Sequence, residues 1–506
     1  MSRHAEESSN FFPVTTKCLG DAPTLDDAPA WIYELDNPYL HGVNAPSLNN
    51  NSNVCGLDVE GEIPMNMDGA YLRNGPNPQH KPKNMYHPFD GDGCVQGLYF
   101  KDGQATFRNS QIQTACLLRE QQERQSVWPG VMGPFDFSLP EFPIKDTANT
   151  DIIWHNGKLI SLWYNSGVPY TLDPVTLENL GPLDSPSKLT RKMSAHSRVD
   201  WQTGEMIFFD YGDTPPYMTY GVLNRDGSLK HEAPIDLPGP RLPHEITFTS
   251  NYAILHDHPL FHDINILKRH NMRVVNFHRE LPTRFGLIPR LGTKVTWFEC
   301  QPCFVLHTSN SWEEGEWVIM DGCRSTNPMP NADPSDGALS HMLAYMRLEA
   351  NNYRWRFNLR TGEVREGPID DLNTEFIKSN QIFHGVKSRY AYHQKIPLLA
   401  DGGETLRFTG LVKYDNETGQ RQEWDYGAGV FGSETPFVPK KGADRNSEED
   451  DGYLTTFITD SKDWTSSCLI FDAKDITKGP IAKVKLPHRI PTGFHGFWAR
   501  GEDIYN

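Results

Sequence analysis

The stretch QTGEMIFFDYGDTPPYMTYGVLNRDGS, residues 202–228, shows the pattern that decides the fold. Two runs rich in Ile, Phe, Tyr, Val and Thr, residues 205–211 and 217–223, lie between turns that carry glycine. β-Branched and aromatic residues favour strands, and glycine permits the positive φ angles that tight turns need. The stretch therefore predicts two antiparallel strands bounded by turns at both ends.

The same alternation of apolar run and glycine turn continues along most of the chain. Further turns of this kind are KDGQ (101–104), HNGK (155–158), RTGE (361–364) and ETGQ (417–420). No clear helical stripe of apolar residues with caps at both ends interrupts them. A meander of about 450 residues must close its exposed sheet edges, and radial repetition of small sheets does so most simply. The sequence thus predicts an all-β chain folded as a β-propeller.

Composition and charge exclude several classes of partner. The chain has 506 residues and a formal net charge of -17, which disfavours nucleic acid because a phosphate backbone needs a basic surface. No apolar run approaches the ~18 residues of a membrane span, and MSRHAEESSNFFPV at the start lacks the apolar segment of a signal peptide. We therefore expect a cytoplasmic protein without stable membrane insertion, and the oligomeric state stays open. We also expect a partly ordered N-terminal extension over residues 1–29 and a single propeller domain over residues 30–506.

Four of the 19 histidines share a setting at the edge of a strand-like segment, next to a turn. They are His196 in KMSAHSRVD, His244 in RLPHEITFT, His307 in PCFVLHTSN and His495 in PTGFHGFW. The inner strands of a propeller converge on its axis, so residues far apart in the chain can reach one central atom. Four neutral imidazoles suit a divalent first-row metal such as Fe(II) and leave positions open for O₂. For each histidine taken alone, a buried ring bonded to a carbonyl is the alternative.

Two other groups contain residue types that bind metals. His256, His258 and His262 lie in LHDHPLFHD, whose aspartates and proline predict an exposed turn. Cys300 and Cys303 form a single C-x-x-C pair without a second one, which is a weak signal for zinc. We expect most of the eight cysteines to be small buried apolar residues.

The chain resembles the carotenoid cleavage oxygenase family from residue 30 to its end. The motifs that carry the resemblance are GAYLRNGPNP (69–78), HPFDGDG (87–93), SAHSRVD (194–200), PHEITFT (243–249), SNSWEEG (309–315), SRYAY (388–392), GSETPFVP (432–439), EDDGYL (449–454) and PTGFHGFW (491–498). The resemblance implies a seven-bladed β-propeller whose loops and helices cap an axial Fe(II), one per chain. It implies cleavage of a conjugated C=C bond by O₂ into two carbonyl products. The family's four ligands fall on the same histidines.

The resemblance also implies three glutamates that accept hydrogen bonds from ligand histidines and so fix their tautomer and orientation. Two of them match Glu375 and Glu434. The third falls on Tyr164 or Asn165, depending on the direction of counting, and neither is a carboxylate. Thr150 matches a threonine that, in part of the family, lies near an open iron position; an ordinary strand threonine is the alternative.

The residues of the expected cavity bear on the substrate. Family members that cleave hydroxystilbenes hold the para-hydroxyl with a tyrosine and a lysine. Here the place of the lysine falls on Trp163 or Tyr164, and the loop of residues 130–142 offers only phenylalanines where the tyrosine is expected. Aromatic side chains can stack on a planar aryl or polyene group. The predicted substrate contacts are Phe135, Phe137, Trp163 and Phe494.

No amphipathic helix suited to membrane extraction is evident, and the acidic chain would be repelled by anionic lipid. We therefore predict a small hydrophobic aryl alkene, a phenylpropenoid or stilbenoid, as the substrate. An apocarotenoid or carotenoid is the alternative within the same chemistry. A propeller that binds without cleaving is a further alternative, because the third glutamate is replaced.

Overall fold

The computed structural model describes residues 24–139, 143–329, 346–397 and 406–505. In these residues, seven antiparallel sheets follow one another around a central axis, which is the architecture of a seven-bladed β-propeller. The prediction of an all-β propeller is confirmed. Residues 1–23, most of the predicted N-terminal extension, lie outside the described residues.

The strands of the described residues are numbered in chain order. The first eleven are β1 (Asn51–Cys55), β2 (Val59–Gly61), β3 (Gly69–Arg73), β4 (Cys94–Lys101), β5 (Gln104–Gln111), β6 (Asp151–His155), β7 (Lys158–Leu162), β8 (Tyr170–Leu172), β9 (Asn179–Pro182), β10 (Arg198–Val199) and β11 (Met206–Tyr211). The next eleven are β12 (Tyr217–Leu223), β13 (Leu229–Asp236), β14 (Ile246–Phe248), β15 (Tyr252–Asp257), β16 (Leu260–His262), β17 (Val275–Phe277), β18 (Thr283–Pro289), β19 (Thr296–Cys300), β20 (Phe304–Glu314), β21 (Trp317–Ser325) and β22 (Asn351–Asn358). The last are β23 (Val364–Pro368), β24 (Thr374–Lys378), β25 (Tyr390–Lys395), β26 (Gly410–Asp415), β27 (Gln420–Asp425), β28 (Val430–Phe431), β29 (Phe437–Pro439), β30 (Gly452–Asp460), β31 (Ser466–Asp472), β32 (Ala482–Lys485) and β33 (Gly496–Arg500).

Each blade is one sheet with neighbouring strands antiparallel. Blade 1 has the order β1-β5-β4-β3-β33, blade 2 is β6 to β9, blade 3 is β10 to β13, and blade 4 is β14-β15-β18-β19. Blade 5 is β20 to β23, blade 6 is β24 to β27, and blade 7 is β2-β32-β31-β30-β28, with β29 also paired to β30.

The ring is closed by strands from both ends of the chain. In blade 1 the late strand β33 pairs with β3, so that Phe497 lies opposite Leu72. In blade 7 the early strand β2 pairs with β32, so that Glu60 lies opposite Lys483. Side chains of these two blades share one apolar cluster. Two exchanged strands therefore hold the first and last blades together and cover the edges that an open ring would expose.

The hairpin predicted from residues 202–228 is β11 and β12 of blade 3, with Phe209 opposite Tyr220. Ile207 and Phe209 pack into one apolar cluster, while Met206 and Phe208 pack into another on the opposite face of the sheet. Because a blade lies between two neighbouring blades, both of its faces are buried. This explains the nearly continuous apolar run where a half-exposed strand would alternate.

In the described residues the helices are few, and they lie outside the blades. They are α1 (Ala115–Glu123), α2 (Ile264–His270) and α3 (Gly501–Ile504), with 3₁₀ turns at Ala30–Glu34, Pro38–Leu40, Gly42–Asn44, Pro88–Asp90, Gln381–Phe383 and Ile476–Lys478. None of the helices in the described part of the chain has the length and apolar character that crossing a bilayer requires.

Apolar side chains of the connecting segments form a cap over one end of the inner strands. Ile32 and Leu40 of the N-terminal 3₁₀ turns and Phe408 belong to the same cluster as Phe376 of β24 and Phe494, which precedes β33. Phe376 and Phe494 each adjoin a residue of the predicted site, so the cap borders that site directly.

Candidate metal centre and substrate cavity

Four histidines from four blades meet at the centre of the propeller. His495 precedes β33 of blade 1, His196 precedes β10 of blade 3, His244 precedes β14 of blade 4, and His307 lies in β20 of blade 5. From the ring centroid of His196, the centroids of the other three rings lie 4.7 Å (His244), 4.9 Å (His307) and 4.4 Å (His495) away. The structure thus brings together all four histidines that the sequence analysis selected.

Ring nitrogens of three of these histidines lie close enough together to hold one metal ion. One ring nitrogen each of His196, His307 and His495 lies within 4.8 Å of the others, which allows one ion to contact all three. The ring of His244 adjoins this set, 5.4 Å from the ring of His307. The Nε2 atoms of His196 and His307 are buried and have no hydrogen-bond partner among the described residues. An unpaired buried polar atom costs about 1–3 kcal/mol, so these two nitrogens fit a metal ion well.

Three of the four histidines are held in the form that binds metal. Burial lowers the pKa of His196, His244 and His307 well below the usual value, and the neighbouring rings add to the effect. Neutral imidazole, with one ring nitrogen free of a proton, is the species that coordinates a cation.

Two glutamates orient two of the four rings. The Nδ1 atom of His307 lies 2.5 Å from Glu375 Oε2, and the Nδ1 atom of His495 lies 3.1 Å from Glu434 Oε1. Both pairs are buried. A carboxylate that accepts the Nδ1–H leaves Nε2 unprotonated and directed at the metal position. Glu375 comes from blade 6 and Glu434 from blade 7, so neighbouring blades supply the supports.

The two carboxylates differ in their charge environment. Burial raises the pKa of Glu375 to about 8. Burial opposes ionisation of Glu434 as well, yet Lys378, whose Nζ lies 3.0 Å from Glu434 Oε2, together with His495 lowers its pKa to about 2. In the metal-free site, Glu434 is therefore the more strongly ionised of the two supports.

At the position expected for the third glutamate, the chain has no carboxylate. The ring of Tyr164 lies 6.5 Å from that of His244 and stacks on Phe89 at 3.8 Å. Asn165 directs its Oδ1 atom at Arg273 Nη1, 2.6 Å away, and not at His244. Among the described residues no carboxylate pairs with a ring nitrogen of His244 or of His196. Of the two candidates, position 164 is the one that faces His244.

Backbone strain accompanies this site. His196 adopts φ 67° and Phe376 adopts φ 53°, both in the left-handed region that side chains with a Cβ disfavour. The N–H of His196 donates to Asp151 Oδ2 at 3.0 Å, and the N–H of Phe376 donates to Glu375 Oε2 at 2.5 Å. Buried carboxylates thus hold both residues in conformations that place their side chains at the centre.

Thr150 is the contribution of blade 2. It precedes β6, is buried, and accepts the backbone N–H of His495 at its carbonyl oxygen, 3.2 Å away. Its hydroxyl donates to Asn149 Oδ1 at 3.0 Å and accepts the N–H of Tyr164 at 3.1 Å. Thr150 also lines the cavity described next, so it lies at the border between histidines and substrate space.

A largely apolar cavity of about 150 Å³ opens beside the histidines. His244, His307 and His495 form part of its wall. Its aromatic and aliphatic lining includes Phe89, Val131, Met132, Leu242, Leu260, Val275, Phe304, Leu306, Phe376 and Phe494. A dry cavity next to a metal position suits an apolar substrate and limits the access of water.

Of the four predicted substrate contacts, the structure places one in the cavity wall and three elsewhere. Phe494 lines the cavity and lies 5.2 Å from Phe89, ring to ring. Phe137 is 57% exposed and does not line it, because its side chain faces solvent. Phe135 and Trp163 are buried in a separate cluster behind the wall. Trp163 donates its indole N–H to Phe89 O at 3.1 Å, so it supports a wall residue. Phe142, the third phenylalanine of the loop of residues 130–142, lies outside the described residues.

The prediction of an exposed turn for His256, His258 and His262 is wrong. All three are buried, and His256 lies within strand β15. The rings of His256 and His258 pack edge-on against Phe285 and Phe304, each 5.0 Å away. The strand pairing of β15 with β18 overrides the local turn signal of Asp and Pro.

Several cavity residues were not predicted from the sequence, and two polar ones among them are Arg273 and Tyr211. Arg273 and Tyr211 both line the cavity, although neither lies in a motif of the family. Arg273 lies between α2 and β17, and Tyr211 ends β11. Local sequence carries no signal for either, because only the packing of blades 3 and 4 brings them to the cavity.

The chain is similar to known proteins over nearly its full length. Residues 45–500 match the family described as retinal pigment epithelial membrane protein. The carotenoid 9,10(9',10')-cleavage dioxygenase of Crocus sativus is 32% identical over 92% of this chain and 90% of that protein. The isoeugenol monooxygenase of Pseudomonas nitroreducens is 29% identical over 92% of this chain and 98% of that protein. The crystal structure of the lignostilbene dioxygenase of Pseudomonas brassicacearum aligns with a TM-score of 0.80 at 27% identity, over 92% of this chain and 99% of that one.

Proposed function

This chain belongs to the carotenoid cleavage oxygenase family, whose members are oxidoreductases that cleave C=C bonds, and from that premise we propose that it cleaves a conjugated aryl alkene with O₂. In the balanced reaction the C=C bond and the O–O bond break, and each former alkene carbon receives one oxygen atom as a carbonyl. The observation that carries the proposal is the convergence of His196, His244, His307 and His495, three of which, His244, His307 and His495, line one wall of an apolar cavity.

Fe(II) is the metal that we assign to this site. Four uncharged nitrogen ligands leave its double charge uncompensated and its remaining coordination positions open. The buried, unpaired Nε2 atoms of His196 and His307 would contact it. When bound, Fe(II) supplies the activation of O₂.

The protein's own residues orient the ligand histidines and keep water out of the cavity; none of them acts as a general acid or base. Glu375 and Glu434 hold the Nδ1–H groups of His307 and His495 and so fix their tautomers. Phe376 and Phe494 shield the histidines on the cavity side. Thr150 is held by two hydrogen bonds at the edge of the cavity, where it narrows access to the histidines.

Two observations support an aryl alkene. The cavity is compact and walled by aromatic rings, which stack well on a planar aryl group. The proteins named isoeugenol monooxygenase and lignostilbene dioxygenase cover this chain almost end to end.

A carotenoid or apocarotenoid is the second candidate. The identity of 32% to the Crocus sativus carotenoid dioxygenase slightly exceeds the 29% to the isoeugenol enzyme. The same histidines would serve either substrate, since the cleavage chemistry is shared and only the cavity selects the alkene.

The deciding experiment combines product analysis with metal analysis. Purified protein loaded with Fe(II) is given isoeugenol, a stilbene and an apocarotenal under ¹⁸O₂, and the products are identified by mass spectrometry. We expect aldehydes from isoeugenol or the stilbene and about one iron per chain. Aldehydes from the apocarotenal alone would transfer the assignment to the second candidate, and full activity of metal-stripped protein would refute the function.

Removal of one ligand should abolish activity. Loss of a group that orients a ligand typically costs about 10- to 100-fold in activity. We expect the rate of product formation of His307→Ala and His196→Ala to fall by more than this, because a ligand itself is removed. His278→Ala is the matched control, since that ring stacks on Phe261 at 4.0 Å outside the cavity. Iron content and initial rates are compared for the three variants, and unchanged iron in His307→Ala would contradict the assignment.

A further inference from the structure

An insertion within blade 4 contributes part of the cavity wall. Between β15 and β18 the chain forms the two-stranded pair β16 and β17, with α2 between them. Leu260 and Val275 of this insertion line the cavity with apolar surface. Arg273, two residues before Val275, lines the same cavity and brings a guanidinium to this part of its wall; Arg347 and Glu349 are the other arginine and carboxylate residues of the lining.

Three neighbours hold Arg273 in place. Its Nη1 donates to Asn165 Oδ1 at 2.6 Å, and its Nη2 donates to Asp213 Oδ2 at 2.9 Å. The ring of Phe135 lies under the guanidinium, with Cζ 5.5 Å from the ring centroid. Three groups from separate segments thus converge on one side chain, and a guanidinium held in this way is preorganised for recognition.

Arg273 retains donors that the protein does not use. A guanidinium has five N–H groups, and within the described residues two of those of Arg273 have acceptors. Its Nε atom is buried without a partner, and the side chain is 19% exposed. Unpaired donors in a low-dielectric cavity are costly, so a ligand that supplies an acceptor gains affinity there.

Tyr211 supplies the complementary acceptor. Its hydroxyl donates to Tyr164 O at 2.6 Å, which uses its one proton and leaves oxygen lone pairs available. Burial raises the pKa of Tyr211 well above the usual value, so the hydroxyl stays neutral. Tyr211 and Arg273 line the same cavity, so an acceptor and a donor are available to one ligand.

The charge balance selects the kind of ligand. Asp213 compensates Arg273, and His262 Nε2 lies 3.2 Å from the other oxygen of Asp213. Since the guanidinium already has an anionic partner, it favours a neutral acceptor over a second carboxylate. A hydroxyl can accept from Arg273 and donate to Tyr211, whereas an ether or a carbonyl can only accept.

We infer that Arg273 and Tyr211 form a specificity subsite for the phenolic hydroxyl of an aryl alkene, at the wall of the cavity that blades 3 and 4 build. This inference rests on the proposed function, which supplies the alkene. The subsite determines which alkene is held; the histidines are common to all alkenes of the class. Asn165 and Phe135 act as positioning residues for Arg273.

The test compares isoeugenol with its 4-O-methyl ether, which differs only in the hydroxyl. Dissociation constants are measured without O₂ on the full chain as purified, and kcat/KM is measured with Fe(II) and O₂. We expect wild type to prefer isoeugenol by about tenfold or more in both measurements. Arg273→Met should reduce this ratio to about one to two, mainly through KM, and Tyr211→Phe should reduce it in the same direction.

Two further variants keep the result interpretable. Arg273→Met combined with Asp213→Asn avoids leaving an unpaired carboxylate, in case the single variant folds poorly. Arg269→Met, an exposed arginine of α2, is the matched control and should keep the wild-type ratio.

The outcomes separate this inference from the proposed function. A binding preference that Arg273→Met erases, without cleavage of either compound, would uphold the subsite and refute the function. Cleavage of both compounds at equal efficiency would uphold the function and refute the subsite. A preference that survives in Arg273→Met and in the double variant would also overturn the inference.

Discussion

The histidine group has two unlike halves. His307 and His495 each contact a buried glutamate through Nδ1, whereas the ring nitrogens of His196 and His244 have no carboxylate partner among the described residues. The backbone N–H of His196 donates to Asp151 Oδ2. The first pair is oriented by side chains of blades 6 and 7. The second pair is oriented by backbone conformation, as the φ of 67° at His196 shows, and by packing, as the neighbouring ring of Tyr164 shows.

The comparison separates two requirements of a metal centre. Geometry can be met by backbone and packing alone, because all four rings converge. Charge compensation of the rings needs carboxylates bonded to them, and among the described residues only the rings of His307 and His495 pair with one. A site with two glutamate supports instead of three attracts a cation less strongly. It also leaves the tautomer of His244 without a carboxylate that would fix it.

Among the variants that test this comparison, the largest effect should come from removing a support. We expect Glu434→Gln to lower iron affinity by about 10- to 100-fold, because the amide carries no charge and leaves Lys378 beside the site uncompensated. Glu375→Gln should have a smaller effect, since burial raises the pKa of Glu375 to about 8 and makes it the weaker anion in the metal-free site. Competition with a chelator measures both.

Glu423→Gln provides the control, because that carboxylate pairs with Lys395 and Arg421 away from the cavity. Equal affinity of Glu434→Gln and this control would show that the supported half gains nothing from its carboxylates.

An intermediate effect is expected from adding the missing support. Tyr164→Glu places a carboxylate at the position that faces His244, and we expect iron affinity to rise by up to about tenfold. Asn165→Glu should give no gain, because position 165 is directed at Arg273. Competition with a chelator compares the iron affinities of the two variants. Thermal unfolding measures the stability that Tyr164→Glu loses with the stacking of Tyr164 on Phe89. A greater gain from Asn165→Glu would reverse the assignment of the two positions.

The smallest effect is expected outside the cavity. Phe137→Ala should change kcat/KM by less than about twofold, because the side chain is 57% exposed and does not line the cavity. Phe494→Ala, which opens the wall next to the supported His495, should lower kcat/KM more. Steady-state rates on the accepted alkene test the pair; equal losses would return Phe137 to the substrate site.

Local sequence was informative wherever a single strand or turn decided the outcome. The apolar runs at 205–211 and 217–223 predicted β11 and β12, because β-branched and aromatic residues beside glycine turns leave few alternatives. The settings of the four histidines marked strand edges that a propeller directs to its centre. The family motifs added Glu375 and Glu434, which no local pattern would distinguish from surface acids.

Local sequence failed where distant segments decide burial. LHDHPLFHD has the composition of an exposed turn, yet pairing of β15 with β18 buries its histidines. Phe137 and Trp163 have the composition of cavity walls, yet one faces solvent and the other supports Phe89 from behind. Arg273 shows the converse, since nothing next to it in the chain indicates a cavity.

By itself the sequence determined an all-β propeller and the four histidines at its centre. Strand propensity and turn chemistry act over a few residues, so local sequence predicts the strands. In a propeller the inner strand of every blade ends near the central axis, so residues at those strand ends meet there. The tertiary structure alone decided which half of the centre carries charge and which side chains line the cavity. Those properties depend on contacts between residues of different blades, and such contacts exist only after the ring has closed.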